Sequence, residues 1–575
     1  MAVHNEDVAA AFDEIADLLD IQGENPFRIR AYRRAAQVVR SLPRDLGELG
    51  GEEELDALPG VGADLAGKII ELRNTGRLRA LETLRRRVPP GLRALLSLPG
   101  LGPVRVRALR ARLGIRGIDD LQRALTEGRL TSLKGFGTGL ESRLRGALAD
   151  KAASGPQRMA WPIAAEYAEP LRTYLQSLPE VARAEVAGSY RRGRDTIGDL
   201  DLLVSSRSPA AVVRALRRYE DLRELTAAGT TKASGVLRNG LQVDVRIVPA
   251  RSFGTALHYF TGSRDHNIHV RRRAQERGYK LNEYGLFRGR VRVAGATEEE
   301  LFAALELPWI APELREDRGE IEAAERHALP VLVERGDLHG DLHTHTDASD
   351  GREPLEKLVA AARARRLRYL AITDHSKYIG VVAGLDAARL ERQMDAIDAL
   401  NATLKDLVVL KGAEVDILED GRLALPDSIL RRLDLVVISV HSQFGLSELK
   451  QTQRVLRALE RPCVSILAHP TGRLLGERQP YALDFERVLK AARERPCYLE
   501  VNGQPRRLDL DEVHVKAARD QGVLLSIASD AHSGAELDFL DHGIRQARRG
   551  WLTKLDVLNA RPLGELRALL RKTMH

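Results

Sequence analysis

The stretch that decides the fold is Val186–Val204, VAGSYRRGRDTIGDLDLLV. Alternate residues of a strand share a face, so Asp199 and Asp201 present paired carboxylates while Leu200, Leu202 and Val204 pack on the other side. Two hard acids on one face call for a divalent cation. Just upstream, AGSYRRG (Ala187–Gly193) is a glycine-serine turn. If Gly188 and Ser189 open a helix, they offer backbone N–H groups and a hydroxyl to a phosphate, and Arg192 adds charge. Downstream, LQVDVRIV (Leu241–Val248) alternates apolar and polar residues and puts Asp244 in mid-strand, where a buried acid needs a partner. Three strand carboxylates can hold two Mg²⁺ ions for in-line displacement at phosphorus. A single Asp is ordinarily a turn or cap residue and a lone Gly-Ser turn a loop; the whole set at this spacing points to a phosphate-and-metal site.

The 575 residues suit three or four domains, and 43% hydrophobic with 30% charged residues describes a soluble globular chain. A net charge of +8 is a modest excess that favours a polyanionic partner. Only Cys463 and Cys497 occur, both in apolar runs, which argues against a disulfide framework and for core positions in a reducing compartment. The start, MAVHNEDVAA, has no secretory pattern, and no apolar run reaches the roughly 18 residues of a membrane span, so a cytoplasmic protein without a membrane partner is expected.

Residues 4–46 read as amphipathic helices, the second of which, about 25–41, carries Arg28, Arg30, Arg33, Arg34 and Arg40 without an acid. That face is either solvated or a phosphate track. LPGVG (Leu58–Gly62), LPGLG (Leu98–Gly102) and LKGFG (Leu133–Gly137) then form an internal repeat, each flanked by helical runs. Paired glycines (Gly60 and Gly62, Gly100 and Gly102, Gly135 and Gly137) allow a tight turn whose N–H groups grip a DNA backbone without reading sequence. The chain loosens between Asp150 and Trp161, marking a boundary. HYFTGSRDHN (His258–Asn267) supplies a Thr-Gly-Ser turn leading into a basic helix, and Tyr259 and Phe260 either stack on a nucleotide or pack in the core. Residues 308–336, rich in charge and proline, read as a tether.

Beyond Asp337 the pattern changes. Seven strand-like runs end at or beside a metal-type residue: DLHTH (His343, His345), YLAITDH (His375), VVLKGAEVDI (Glu414), VVISVHS (His441), VSILAHP (His469), YLEVN (Asn502) and LLSIASDAH (Asp530, His532). Helical patterns separate them, and in a parallel α/β barrel the C-terminal ends of the strands meet at one face. Asp350, in the loop after the first strand, can join them. Mixed nitrogen and oxygen ligands suit Zn²⁺ or Mn²⁺. His514 and His542 read as helix residues outside the set.

With AGSYRRG, GDLD, LQVDVRIV and HYFTGSRDHN in this order, residues 1 to about 315 resemble the family X DNA polymerases, typified by DNA polymerase beta. The resemblance implies that Asp199, Asp201 and Asp244 bind two Mg or Mn ions and that Gly188, Ser189 and Arg192 hold the triphosphate. It puts Tyr259, Phe260, Gly262 and Asn267 at the sugar and base, and Arg271 beside the template. Arg264 stands where some relatives have an acid, which changes the charge offered to the nucleotide. Lys68 matches the family's deoxyribose-phosphate lyase nucleophile, with Arg28 and Tyr32 as its DNA-side neighbours, but Asp64 replaces a second basic residue on the same helix face. Lyase nucleophile and plain phosphate contact both remain open for Lys68.

HTHTDASDG, TDH, GAEVD, VHS, AHP and SDAH resemble the polymerase and histidinol phosphatase (PHP) domain, a phosphoesterase with a distorted seven-stranded barrel. Carried over, His343, His345, Glu414 and Asp530 hold one metal, Glu414, His441 and His469 a second, and Asp350, His375 and His532 a third, giving two or three Zn or Mn ions. The expected organisation is multidomain, α+β and α/β. It comprises a helical DNA-binding domain at 1–85, a helix-hairpin-helix subdomain at 86–152, a nucleotidyltransferase palm with a mixed sheet at 153–315, a linker at 316–336 and a PHP barrel at 337–575. The function implied is short-gap filling in DNA repair from dNTPs on gapped or nicked DNA by a monomer, with a 3'-5' exonuclease or abasic-site endonuclease behind it. Two alternatives stand beside it: a small-molecule phosphatase in the C-terminal domain, and a non-catalytic DNA-end scaffold.

Overall fold

The computed structural model describes residues 5–574 apart from 41–51, 149–157, 378–383 and scattered positions between 57 and 147. The chain separates into two compact units, one built on Met1–Gln157 and the other beginning at Arg158.

In the first unit, helices α1 (Asn5–Gln22) and α2 (Pro26–Arg40) pair through the apolar positions the sequence spaces at helical intervals, burying Phe12, Ile15, Leu18, Ala35 and Val39. Helices α3 (Ala63–Thr75) and α4 (Pro103–Leu113) each follow a glycine hairpin. The three repeats share one backbone pattern: the N–H groups of Val61, Leu101 and Phe136 donate to the carbonyls of Leu58, Leu98 and Leu133, each at 3.0 Å. Gly60 and Gly100 turn the chain at φ of 89° and 82°, a left-handed conformation in which a side chain is strained. Gly135, expected to do the same, lies outside the described residues. One apolar core running from Val8 to Leu148 joins the two helical domains expected at 1–85 and 86–152, since such short helices bury too little surface separately.

The second unit begins with helix α5 (Trp161–Gln176) and a five-stranded mixed sheet: β1 (Val181–Val186), β2 (Asp199–Ser206), β3 (Leu222–Ala228), β4 (Lys232–Leu237) and β5 (Gln242–Val248), in the order β1-β2-β5-β4-β3. β2 runs antiparallel to β1 and parallel to β5. Helix α6 (Gly188–Arg191) fills the turn between β1 and β2. Helices α7 (Phe253–Thr261) and α8 (Arg264–Glu276) follow, the second capped by the Ser263 hydroxyl, which accepts the His266 N–H at 3.2 Å. A three-stranded antiparallel sheet, β6 (Lys280–Asn282), β7 (Gly285–Arg288) and β8 (Val291–Ala294), then leads to α9 (Glu298–Ala304).

The segment expected to be a tether is a packed part of this unit. Ile310, Leu314, Ile321, Ala324 and Leu332 are buried in one cluster with Trp551, and the Arg315 side chain is wholly buried. Its charges are paired inside: Arg315 with Glu298 at 2.6 Å, Glu320 with His266 at 2.6 Å, and Glu313 with Arg548 at 2.7 Å.

The remainder is a ring of seven parallel strands in chain order, β9 (Gly340–Asp341), β10 (Tyr369–Ile372), β11 (Val408–Asp416), β12 (Leu435–Ser439), β13 (Ile466–Leu467), β14 (Tyr498–Asn502) and β15 (Leu525–Ala528). The ring nearly closes: Thr344 bridges Ala531, and the Asp341 carboxylate accepts the Ser529 N–H at 3.3 Å. Every residue of β10 and of β12–β15 is buried, as continuous apolar runs in a helix-wrapped parallel sheet require. Cys463 and Cys497 are free and buried, at the core positions expected. Helix α10 (Leu540–Arg549) packs on β14 and β15.

Candidate functional site

In the palm sheet Asp201 and Asp244 are direct partners in the parallel register of β2 and β5, and Asp199 lies two positions before Asp201 on the same face. Asp244 accepts the Ser234 hydroxyl at 2.6 Å and pairs with Lys232 at 2.6 Å. Burial, with the charges of Asp199 and Asp244 adding to it, pushes the Asp201 carboxyl up to about 6. Three carboxylates gathered on one face, two of them in direct register, are a donor set that divalent cations fit.

A cleft of about 810 Å³ opens beside Asp199 and Asp201. Gly188, Ser189 and Arg192 line it with Asp199 and Asp201, together with Tyr259, Phe260, Gly262, Arg264, Asn267 and Arg271. The cleft thus gathers every residue expected to hold a nucleotide. Gly188 is required there: its φ is 61°, and a Cβ would lie 2.5 Å from an Asp201 carboxylate oxygen. Asn267 donates to the Tyr259 carbonyl at 2.7 Å and so ties α8 to α7. Arg271 sits 6.0 Å from the ring centre of Tyr259, and Arg246 covers Phe260 at 4.8 Å. Arg192 is already engaged, donating to Glu316 at 3.0 Å and to the Thr261 carbonyl. Arg158, Arg194 and Ile268 also line the cleft and escaped the sequence reading, Arg158 because it falls in the stretch read as a loose boundary.

At the C-terminal end of the barrel strands the nine expected ligands converge. His345, Asp350, His375 and His532 form one group, His343, His345 and Asp530 a second, and His375, Glu414 and His441 a third, with ligand atoms in each group within 4.8 Å of one another. Glu414 is the hub: His469 lies 2.9 Å, His375 3.0 Å, and His343 and His441 3.3 Å from its oxygens. Burial opposes a charge there, yet His375, His441 and His343 hold its carboxyl well below the usual range. Nitrogens of His343, His345, His375 and His469 are buried and make no well-aligned hydrogen bond, although the carboxylate of Glu414 lies close to two of them, so the cluster offers lone pairs that a divalent cation fits.

Behind these ligands stand acids that the sequence reading passed over. Glu500 accepts from His343 Nδ1 at 2.5 Å and from the His469 N–H at 2.7 Å, and Asp416 lies 3.0 Å from His441 Nδ1. Both sit two residues from a singled-out residue on the same strand, Asn502 and Glu414, and that period-two spacing was the available signal.

In the helical unit a Cβ placed on Gly62, Gly102 or Gly137 meets nothing within 4 Å among the described residues, so the backbone there is open to approach. Arg28 is exposed on α2. Tyr32, expected on the DNA side, is instead 2% exposed and packs edge-on against Phe12, because α1 and α2 need that ring in their core. Lys68 pairs with Asp64 one turn away and lies 6.0 Å from the Tyr32 ring centre.

Five family descriptions match in order: a helix-hairpin-helix domain at 3–78, a SAM-like helix-hairpin-helix tandem at 92–150, the DNA polymerase beta palm at 164–270, the DNA polymerase beta thumb at 256–316 and the PHP domain at 341–504. A probable phosphatase of Thermoanaerobacter sp. (strain X514) is 28% identical over 243 residues, 40% of this chain and 94% of that protein. A probable phosphatase of Caldanaerobacter subterraneus subsp. tengcongensis is 29% identical over 218 residues, 36% of this chain and 80% of its own length. The DNA polymerase/3'-5' exonuclease PolX of Bacillus subtilis (strain 168) is 37% identical over 575 residues, 99% of this chain and 100% of the relative. Because that identity runs through the palm, the thumb and the barrel alike, the chain belongs to the PolX family of family X DNA polymerases that carry a PHP domain and a 3'-5' exonuclease.

Proposed function

We propose that the polymerase fills short gaps during DNA repair, with Asp199, Asp201 and Asp244 as the catalytic acids, and that the barrel centre trims 3' ends before or after addition. The observation that carries the first part is the register of Asp201 on Asp244 beside a cleft lined by Gly188, Ser189 and Arg192. The α6 N–H groups and the Ser189 hydroxyl bind the triphosphate, Arg192 offsets its charge, and Tyr259 and Asn267 seat the sugar and base beside Arg271. The three carboxylates hold two Mg or Mn ions, and the barrel ligands two or three Zn or Mn ions. When bound, these ions acidify the attacking oxygen and offset charge at phosphorus. In the barrel, Glu414 and the surrounding histidines fix the centre while Glu500 and Asp416 orient His343 and His441.

The hairpins hold gapped or nicked DNA by its backbone, and both centres are built by one chain, so a monomer suffices. Among the described residues no helix is long and apolar enough to cross a membrane. Extension of a gapped, 5'-phosphorylated duplex with and without dNTPs, in Mg²⁺ and in Mn²⁺, tests the assignment. Asp199→Ala should abolish extension and spare nuclease, whereas His343→Ala should do the reverse. If Asp199→Ala still extended the gap, the metal assignment would fail.

The probable phosphatases that match the barrel support a second reading, a centre acting on small phosphomonoesters. Comparing turnover on 3' DNA ends with turnover on p-nitrophenyl phosphate separates the two. Lys68 pairs with Asp64, an acid that competes for the amine with a phosphate and with a sugar aldehyde alike, so the pairing favours neither role.

A further inference from the structure

The turn that serves the triphosphate, Gly188–Asp195, is held from behind by side chains of the nuclease domain. Arg549, with a side chain 1% exposed, donates to the Arg192 carbonyl at 2.7 Å and to Glu512 at 2.6 Å, and lies 3.3 Å from Glu316, the carboxylate that also pairs with Arg192. Arg545, one turn earlier on α10, places its guanidinium 3.5 Å from the Trp161 ring centre. Trp161 stacks on Tyr190 at 4.8 Å and donates its Nε1–H to the Tyr190 carbonyl at 2.9 Å. Gly193 has a φ of 67°, and a Cβ there would lie 2.7 Å from Arg545, so the turn and α10 are fitted to each other. Arg473 closes the far end of the turn by pairing with Asp195 at 2.9 Å.

We propose that α10 of the nuclease domain positions the polymerase's triphosphate turn, with Arg549 and Arg545 as positioning residues for dNTP binding. Arg192 can present its guanidinium to a phosphate only if its own backbone is fixed, and Arg549 bonds that backbone directly. A charge-assisted bond to a carbonyl, made by a side chain that two carboxylates neutralise, restrains the turn without competing for the phosphate. The cation over Trp161 presses the indole onto Tyr190 and fixes the middle of α6 in the same way. Polymerisation by this chain therefore depends on the nuclease domain even when no 3' end is being trimmed.

This inference rests on the reading of Gly188–Arg192 as the triphosphate turn. The test measures single-nucleotide insertion into a gapped duplex by the full chain and its variants Arg549→Ala, Arg549→Lys, Arg545→Met and Arg192→Ala, with Mn²⁺-dependent nuclease rate as the companion readout. Arg549→Ala should raise the dNTP KM about tenfold with a much smaller change in kcat and an unchanged nuclease rate. Arg549→Lys should recover most of that KM, and Arg545→Met should give a smaller rise in the same direction. An unchanged KM in Arg549→Ala and Arg545→Met beside a raised KM in Arg192→Ala overturns the positioning role alone. An unchanged KM in Arg192→Ala overturns the triphosphate reading beneath it. A parallel loss of both activities in Arg549→Ala and Arg545→Met also overturns the proposal, because α10 would then be a general structural support.

Discussion

Asp201 anchors Ala187: its carbonyl accepts the Ala187 N–H at 2.6 Å, so the residue whose carboxylate faces Asp244 also fixes the entrance to the phosphate turn. The proposed metal and triphosphate sites are therefore one backbone construction, and a change at either is felt at both. The adjoining burial makes Asp201 costly without a cation.

Asp201→Asn should abolish extension and yet stabilise the metal-free protein. Folding raises this carboxyl from 3.8 to about 6, so the metal-free fold binds a proton in that interval and loses stability as pH climbs through it; above about 6 the full penalty remains. Removing the charge should recover on the order of 1–3 kcal/mol at pH 8 and little below pH 4. Thermal melts in chelator at both values check this, and equal shifts at the two would contradict it.

Glu500 predicts a nuclease defect without loss of any ligand. It orients His343 through Nδ1 at 2.5 Å and holds the backbone of His469. Glu500→Gln should lower metal affinity and nuclease rate by about 10–100-fold while gap extension keeps its rate. Metal titration followed by the two assays decides the matter.

Legibility in the sequence followed periodicity. The gathering of Asp199, Asp201 and Asp244 could be read because strand alternation marks acids on a shared face, and that of the barrel histidines and acids because all but Asp350, which lies in a loop, end or closely follow an apolar run. Glu500 and Asp416 obey the same alternation but lie inside runs that look like core, so only the strand register shows that they stand behind His343 and His441. Tyr32 stands beside Lys68 as the motif implied, 6.0 Å from ring centre to Nζ, but its ring is buried against Phe12, which motif matching alone does not show. Residues 308–336 were misread because charge and proline suggest solvent, whereas their partners Glu298, His266 and Arg548 are distant in sequence.

Arg315→Ala tests that last point. Removing a wholly buried guanidinium leaves Glu298 with Arg191 as its remaining arginine partner, at 2.8 Å. Breaking a buried pair costs about 3–5 kcal/mol, and Arg191 should keep the loss toward the lower end. Urea unfolding of the full chain measures it; a loss within about 0.5 kcal/mol is what a surface position would give.

Gly188→Ala separates backbone strain from chemistry at the turn itself. Alanine at a φ of 61° is strained, and its Cβ would lie 2.5 Å from the Asp201 carboxylate, so the carboxylate must move from the face it shares with Asp199. Extension should fall about 100-fold or more, since misplacing a reacting group by an ångström costs that much. Gly278→Ala is the control: it has a φ of 72° and open space for a Cβ, so it carries the strain without the collision. The control should lose about 1 kcal/mol of stability and keep its extension rate. Nuclease activity should persist in both variants. If the two lost extension equally, backbone strain rather than the approach of Gly188 to Asp201 would account for the glycine.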